Sequence, residues 1–273
     1  MISIRTNVAS LNAQRNLSST GSQLESSLSK LSSGYRITKA GDDAAGLGIS
    51  SNLEAQIKSY NQASRNAQDG MSLIQTAEGA LNETTNILTR LRELAMQSAS
   101  DGVGDTERGY IQGEAAQLMT EIDRIANATE YNGTSLLAAP ATLTFQVGIR
   151  NTPANDQISV DTVAATSAAL GVGGLDLSSA ADARTALEDI DAALETVSGA
   201  RADFGAAGNR LQSVVNTIQT ASENLSAANS RIRDVNVAEE TAKMARANVL
   251  MQAGVSVLAQ ANQAPQMALK LLG

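Results

Sequence analysis

The sequence predicts a mainly α-helical fold: a long antiparallel bundle of coiled-coil helices with a small β-hairpin region, and a second coiled-coil domain that pairs the N- and C-terminal helices. Apolar residues recur every seven positions in several segments, and one short stretch alternates between apolar and polar residues as a strand does. The composition agrees, because 42% of the residues are hydrophobic but only 2% are aromatic, and three are proline. Such a chain suits long helices packed along narrow apolar stripes better than a thick core.

The two chain ends carry narrow apolar stripes at helical spacing. The stripe residues are Ile4, Val8, Leu11, Leu24, Leu28 and Leu31 near the N-terminus, and Met244, Leu250, Met251, Val255, Val257 and Leu258 near the C-terminus. These helices are expected to pair with each other or with the same helices of neighbouring copies, because so little apolar surface barely offsets the cost of ordering a helix. We therefore expect residues 1–41 and 235–273 to be disordered in the monomer and to fold on assembly.

Two further helices are expected within residues 42–137. A glycine-rich connector precedes them, and either Asp42 or Asp43 is placed to cap the first of the two. The seven-residue rows of these helices are Ile74, Leu81, Leu88 and Ala95 in the first, and Ile111, Leu118 and Ile125 in the second. Residues 100–105 between them read as a turn, with Asp105 as the N-cap of the second helix.

The longest seven-residue repeat lies in the C-terminal third, and its residues are here called the seam. The seam consists of Ile190, Val197, Phe204, Leu211, Ile218, Leu225 and Ile232. The companion row expected beside it is mixed, with Leu194 and Val215 but also Arg201 and Gly208. A sustained seven-residue repeat predicts left-handed supercoiling around partner helices. We therefore assign residues 185–234, together with 42–137, to one rod-like helical bundle.

The segment 138–184 changes to a strand pattern. Its apolar residues Leu143, Phe145, Val147 and Ile149 alternate with polar residues or glycine, and Ile158 and Val160 alternate again after a turn around residues 153–156. This pattern predicts a small β-hairpin at the far end of the bundle.

The composition excludes most chemistry. The chain has no His and no Cys, so it holds no catalytic triad, thiolate nucleophile, ordinary zinc site or disulfide. A net charge of −8 disfavours nucleic-acid binding, and the absence of a long apolar run disfavours membrane insertion. We expect no catalytic residues, cofactor or metal. The alternatives of other classes are an enzyme using Ser-Lys or paired carboxylates, and a coiled-coil signalling module, which would need a sensor or membrane span.

Several segments resemble one family in their order along the chain. These segments include LSSGYRI, DDAAGLGIS, SRNAQDGMSLIQTAEGALNE, EIDRIANATEYNGTSLL, RADFGAAGNRLQ, NLSAANSRIRDVNVAEETAKM and VLMQAGVSVLAQANQAPQ. Together they resemble bacterial flagellin, the subunit of the flagellar filament. The resemblance covers roughly residues 1–137 and 185–273, and the segment 138–184, which does not match, lies where the family varies.

The resemblance implies an architecture and a set of partners. Residues 1–41 and 235–273 would form the inner core of a self-polymerised filament, 42–137 and 185–234 its wall, and 138–184 a short variable segment without a large outer domain. Secretion through the flagellum's own type III export channel would agree with a start that lacks an apolar signal region. The implied partners are further copies, an export chaperone, the cap and the hook-associated junction proteins. The alternative within the same apparatus is a hook–filament junction protein.

The resemblance also implies a contact with an innate immune receptor. The stretch LTRLRELAMQSAS is similar to the segment that Toll-like receptor 5 recognises in many flagellins, and the matching positions are Arg90, Leu94, Gln97 and Glu114. Helical spacing alone predicts that Leu88, Leu91 and Ala95 face the bundle. The alternative interpretation of the outward face is a solvated surface, or one that packs against the next subunit.

Overall fold

The computed structural model describes the backbone of residues 6–272 and the side chains of residues 6–263. The helices are α1 (Val8–Ser33), α2 (Ala44–Ser98), α3 (Asp105–Ala128), the short α4 (Pro153–Asp156), α5 (Ala180–Arg233) and α6 (Val237–Leu272). The strands are β1 (Glu130–Tyr131), β2 (Thr134–Ser135), β3 (Ala141–Gln146) and β4 (Gln157–Thr162). The predicted mainly α-helical class with a small antiparallel strand region is confirmed.

The chain forms two compact units. The terminal unit comprises residues 1–55 and 223–273, and the central unit comprises residues 56–222. These divisions lie inside α2 and α5, whereas the predicted boundaries follow residues 41 and 234. The assignment of the ranges to an inner core and a wall concerns an assembled filament and stays a prediction.

The core of the central unit is built from α2, α3 and α5. Arg92 on α2 donates to Asp191 on α5, and Ser222 near the end of α5 donates to Asn61, so the two helices run antiparallel. Five seam residues are buried: Ile190, Val197, Phe204, Leu211 and Ile218. The last two, Leu225 and Ile232, lie in the terminal unit and are half-buried.

The row that packs beside the seam agrees only in part with the one expected. The buried alanines Ala193, Ala200 and Ala207 lie three residues after three of the seam positions rather than four. Of the expected companions, Val215 is buried, whereas Leu194, Arg201 and Gly208 are half-buried. The alanine row is not predictable from the sequence, because alanine is common at exposed helix positions as well. Its small side chain lets neighbouring helix backbones approach closely. The buried face of α5 therefore combines the large side chains of the seam with a parallel row of small alanine side chains.

The helix starts show one correct cap prediction and one wrong one. Asp43 accepts a hydrogen bond at 2.8 Å from the backbone N–H of Gly46 in the first turn of α2. Asp42 instead closes the connector by accepting from the backbone N–H groups of Thr38 and Lys39. The prediction that Asp105 caps α3 is wrong, because Gly104 is the N-cap and Asp105 is already the first helical residue. An acidic residue in the first turn is favoured by the helix dipole as well as by capping, and sequence alone does not separate the two roles.

Two hairpins follow α3. β1 and β2 pair around Asn132 and Gly133, both at positive φ, which the two-residue turn between twisted strands requires. β3 pairs antiparallel with β4, so that Leu143 lies opposite Val160 and Phe145 opposite Ile158. The predicted hairpin is therefore present. Its first strand begins two residues earlier than the alternation suggested and ends at Gln146.

Residues 163–179, here called the strap, pack onto the central unit. The strap has no helix or strand, yet Ala165, Leu170, Val172, Leu175 and Leu177 are all buried. Polar groups of α2 and α3 hold its main chain. Gln112 accepts from the Leu177 N–H at 2.6 Å and donates to the Leu175 carbonyl at 3.1 Å. The predicted variable segment thus supplies part of the core as well as a hairpin.

Candidate assembly surfaces

The pairing of α1 with α6 in the terminal unit buries little apolar surface. Of the described residues on these two helices, the buried apolar ones are Ala13 and Ala247. The larger residues of the stripe, such as Leu17 and Met251, are half-buried. At Gly254 the helices approach so closely that a β-carbon would lie 3.1 Å from a methyl group of Leu17. The pair is therefore held along a thin line of contact.

Many apolar side chains of the terminal unit face outward instead. The exposed large ones among its described residues are Val8, Leu11, Leu28, Tyr35, Ile49, Val237, Val249, Leu250, Val255 and Val257. Val249 is 65% exposed and Val237 is 62% exposed. An exposed apolar surface of this extent marks a site of protein–protein contact.

A buried polar cluster lies within the α1–α6 pair. The Ser27 hydroxyl donates to the Glu240 carboxylate at 2.7 Å, and both side chains are buried. Lys243 approaches the same carboxylate at 3.3 Å. The hydrogen bond from Ser27, assisted by Lys243, lowers the pKa of Glu240 despite the opposing effect of burial. Sequence reasoning missed this contact, because the two residues are 213 positions apart and no local pattern links them.

The connector closes onto the end of α5 within the terminal unit. The Arg36 N–H donates to the Arg233 carbonyl, and the Val235 N–H donates to the Gly34 carbonyl. The Arg233 guanidinium stacks 4.2 Å from the centre of the Tyr35 ring and pairs with Glu54 at 2.9 Å. Gly34 has a positive φ of 75°, as the left-handed residue that ends α1. These contacts bring the C-terminal end of α1 close to the N-terminal end of α6.

The structure separates the four residues that the resemblance links to the immune receptor. Arg90 donates to Glu114 at 2.8 Å and to Glu93 at 2.9 Å, and these three side chains are exposed. The hydrogen bonds that Arg90 donates to Glu93 and Glu114 raise the pKa of Arg90. Gln97 is also exposed. Leu94 is only 2% exposed and belongs to the core of the central unit, so it lies beneath that surface.

Across the part of the chain that the structure describes, no group of three or more acidic, His or Cys side chains is arranged to hold a metal ion. None of the described helices combines the length and the apolar character needed to cross a membrane.

Comparisons with known proteins agree with one another. The family models for the bacterial flagellin N-terminal helical region and C-terminal helical region match residues 4–142 and 187–272. A flagellin from Halalkalibacterium halodurans is 43% identical over 98% of this chain and 99% of its own length. A flagellin from Bacillus subtilis is 44% identical over the same shares. The crystal structure of Bacillus cereus flagellin matches with a TM-score of 0.51 and 33% identity, covering 60% of this chain and 94% of that one.

These matches give no support to the junction-protein alternative. The two family models and the two flagellin sequences span nearly the whole chain, including residues of both the terminal and the central unit. The chain belongs to the bacterial flagellins, and it is a structural subunit of the flagellar filament rather than an enzyme.

Proposed function

We propose that this chain polymerises through its terminal unit, with residues 1–41 and 235–273 forming the inner core of the filament. The observation that carries the proposal is the contrast within α1 and α6. Their mutual contact buries only two alanines among the described apolar residues, whereas larger apolar side chains such as Val249 and Val255 are exposed. Apolar surface of this kind is removed from water when sister copies pack against it.

The same contrast supports folding of the chain ends on assembly. A helix pair with so narrow a contact has little to offset the entropy of ordering its backbone, about 1–2 kcal/mol per residue. Packing against further copies would supply the missing stabilisation. In the free monomer these ends are therefore proposed to be disordered, while the central unit, with its continuous core, stays folded.

Two measurements test this function. Negative-stain electron microscopy of concentrated protein with seeds should show long filaments for the intact chain and none for a variant lacking residues 1–41 and 235–273. Far-ultraviolet circular dichroism should show more helix per molecule after polymerisation than before. Equal helix content in both states would overturn folding on assembly, and an intact chain that stays monomeric with seeds would overturn self-assembly.

The remaining roles follow from family membership and are proposed on that basis. The subunit leaves the cell through the flagellar export channel, and it meets an export chaperone, the cap and the junction proteins on the way to an extracellular filament. The segment 138–184 adds a hairpin and the strap to the filament surface and no bulky outer domain. An image reconstruction of the filament with large projections would contradict the last point.

Recognition by Toll-like receptor 5 is proposed for the surface around Arg90. Its support is that Arg90, Gln97 and Glu114 are exposed, with Arg90 and Glu114 joined by a short ion pair. Leu94 would contribute indirectly, because its packing in the core holds α2 and the exposed residues on it in place. A receptor reporter-cell assay with purified monomer should give a response that Arg90→Ala reduces. A matched exchange at an exposed arginine farther along α2, Arg65→Ala, should leave it unchanged.

A further inference from the structure

We propose that Asn132 is a site of spontaneous chemical modification in the folded subunit. The backbone nitrogen of Gly133 attacks the side-chain amide of Asn132, and the products are aspartate and isoaspartate at position 132. The reaction needs no enzyme and no co-reactant except water. It concerns one turn of the central unit, and it does not depend on self-assembly.

The sequence around Asn132 is chemically distinct from that around every other asparagine of the chain. Asparagine is among the thermolabile residue types, because its side-chain amide can be lost. Asn132 is the only asparagine in the sequence that is followed by glycine. Glycine carries no side chain that would crowd its own backbone nitrogen, so that nitrogen can approach the preceding amide closely.

The fold leaves both reacting groups accessible and without partners. Asn132 and Gly133 are the exposed central residues of the turn between β1 and β2, with positive φ values of 49° and 76°. The space beside the Gly133 α-carbon is open, since an added β-carbon would have no heavy atom within 4 Å. Within the part of the chain that the structure describes, neither the Asn132 amide nor the Gly133 N–H forms a hydrogen bond. The attack therefore breaks no existing contact of these two groups.

The hairpin that carries the turn is short, and its base is anchored. β1 and β2 contain two residues each, and a ribbon of that size is marginally stable by itself. Just after it, Leu136 and Leu137 are fully buried, and the Leu136 N–H donates to the Thr129 carbonyl at 3.1 Å. The turn can therefore change its dihedral angles and bring the Gly133 nitrogen onto the Asn132 amide carbon while the rest of the central unit stays folded.

The reaction has two steps. Hydroxide removes the proton of the Gly133 amide, the nitrogen forms a bond to Cγ of Asn132, and the bond between Cγ and Nδ2 breaks. Ammonia leaves with a proton taken from water, which restores the hydroxide, and a succinimide ring remains. Water then opens the ring. Opening at Cγ gives aspartate, whereas opening at the main-chain carbonyl carbon gives isoaspartate, in which the chain continues through the side chain. The net change is the uptake of one water and the release of one ammonia.

The two products affect the hairpin differently. Aspartate keeps the turn, because Asp-Gly favours the same two-residue turn as Asn-Gly. Isoaspartate adds one carbon to the main chain between Tyr131 and Thr134, which the register of the hairpin pairs with each other, so this pairing is lost. Either product adds a negative charge to the groove that Asn132 and Asp69 line together. The central unit therefore becomes more acidic as the protein ages.

Peptide mapping of aged full-length protein tests the site. Dilute monomer is kept in mildly alkaline buffer and then digested with trypsin, which releases residues 125–150 and 151–184 as separate peptides. We expect peptide 125–150 to gain the mass difference between an amide and an acid, with fragment ions that place it at Asn132, and to accept methyl groups from an isoaspartyl methyltransferase. The control within the same molecule is Asn151, which is exposed but is followed by Thr152. The β-branched side chain of Thr152 crowds the attacking nitrogen, so Asn151 should stay an amide.

The matched variant is Asn132→Gly, because Gly-Gly forms the same turn without a reactive amide. Isoelectric focusing should show an acidic shift on ageing in the wild type and none in this variant. The reaction in folded monomer should also run within about tenfold of its rate in urea, since opening a short turn costs little. A slower folded rate would overturn the proposal, as would equal modification of Asn151 or an equal acidic shift in Asn132→Gly. Because both measurements use monomer, their failure would leave self-assembly untouched.

Discussion

At the residue scale, the buried carboxylate of Glu240 stands out. A charged side chain is costly to bury unless partners replace its hydration, and Ser27 and Lys243 do so here. The remaining contact between α1 and α6 includes small or flexible side chains such as Ala13, Ala247 and Met251. The polar cluster therefore makes this part of the helix pair dependent on the charge state of one residue.

This dependence predicts a pH effect. Because the folded state lowers the pKa of Glu240, its contribution to stability is present above the ordinary pKa of glutamate and is lost as the pH falls through the lowered value. The variant Glu240→Gln should make filament disassembly depend less steeply on pH as the pH falls below about 4.3, the ordinary pKa of glutamate. Light scattering of preformed filaments measures it. The control Glu25→Gln, at an exposed position on α1, should disassemble like the wild type.

Residue roles could be predicted from the sequence only where the cause is local. Asp43 as a helix cap was predictable because a cap acts on the backbone three residues later. Glu240 was not, because its partner Ser27 is brought to it by tertiary packing. Leu94 shows a third case. Its resemblance to a receptor-contact position says nothing of burial, which the packing of α2 decides.

At the scale of elements, the pairing of a bulky seam with an alanine row defines α5. The seam period was predictable because large apolar residues every seven positions are rare by chance. The alanine row beside it was not, since alanine is favourable on both buried and exposed helix faces. The first strand of the hairpin was predictable to within a few residues. The strap was not predictable, because its buried residues follow neither a helical nor a strand period.

The alanine row predicts a sharp contrast between neighbouring positions. Ala193 is fully buried beside the seam, and Ala192 is exposed on the same helix turn. Ala193→Leu should destabilise the central unit by about 1–3 kcal/mol, because the close-packed interface has no room for three extra carbons. Ala192→Leu should change stability by less than about 0.5 kcal/mol. Guanidinium denaturation of both variants measures the difference, and equal effects would contradict tight packing at Ala193.

The strap predicts a second effect at this scale. Gln112 satisfies one N–H and one carbonyl of the strap's main chain, and its removal leaves both without a partner in a part-buried place. Gln112→Ala should cost about 1–3 kcal/mol and accelerate hydrogen exchange at the Leu177 amide. The matched control is Gln117→Ala, an exposed glutamine on the same helix. Exchange at Leu177 that stays as slow as in the wild type would show that the strap is held by its apolar residues alone.

At the scale of the whole molecule, the two units differ in charge as well as in packing. The terminal unit, residues 1–55 and 223–273, has ten Lys and Arg against eight Asp and Glu, whereas the central unit has ten against twenty. The acidic surplus of the chain therefore belongs to the central unit. The terminal unit can bring apolar surfaces of many copies together without a large repulsion between like charges.

This division predicts the order of proteolysis. Trypsin should cut monomer first in the proposed disordered ends, after Arg15, Lys30, Lys243 and Arg246, and should leave the central unit largely intact. Filaments should resist cleavage at those four sites, because assembly orders the helices that carry them. Mass spectrometry of timed digests gives the order. Equal cleavage rates at Lys30 and Arg124 in the monomer would contradict preferential disorder of the ends.

The strap has one more consequence. Gln112 and Ser98 form hydrogen bonds with main-chain carbonyl and N–H groups of the strap. Such bonds do not depend on which side chain the strap residue carries. The fold therefore does not require a particular side chain at exposed strap positions such as Ala168, Ala169 and Gly174. A foreign epitope grafted there should be displayed in a regular array, one copy for every molecule, provided that the residues pointing inward keep their identity.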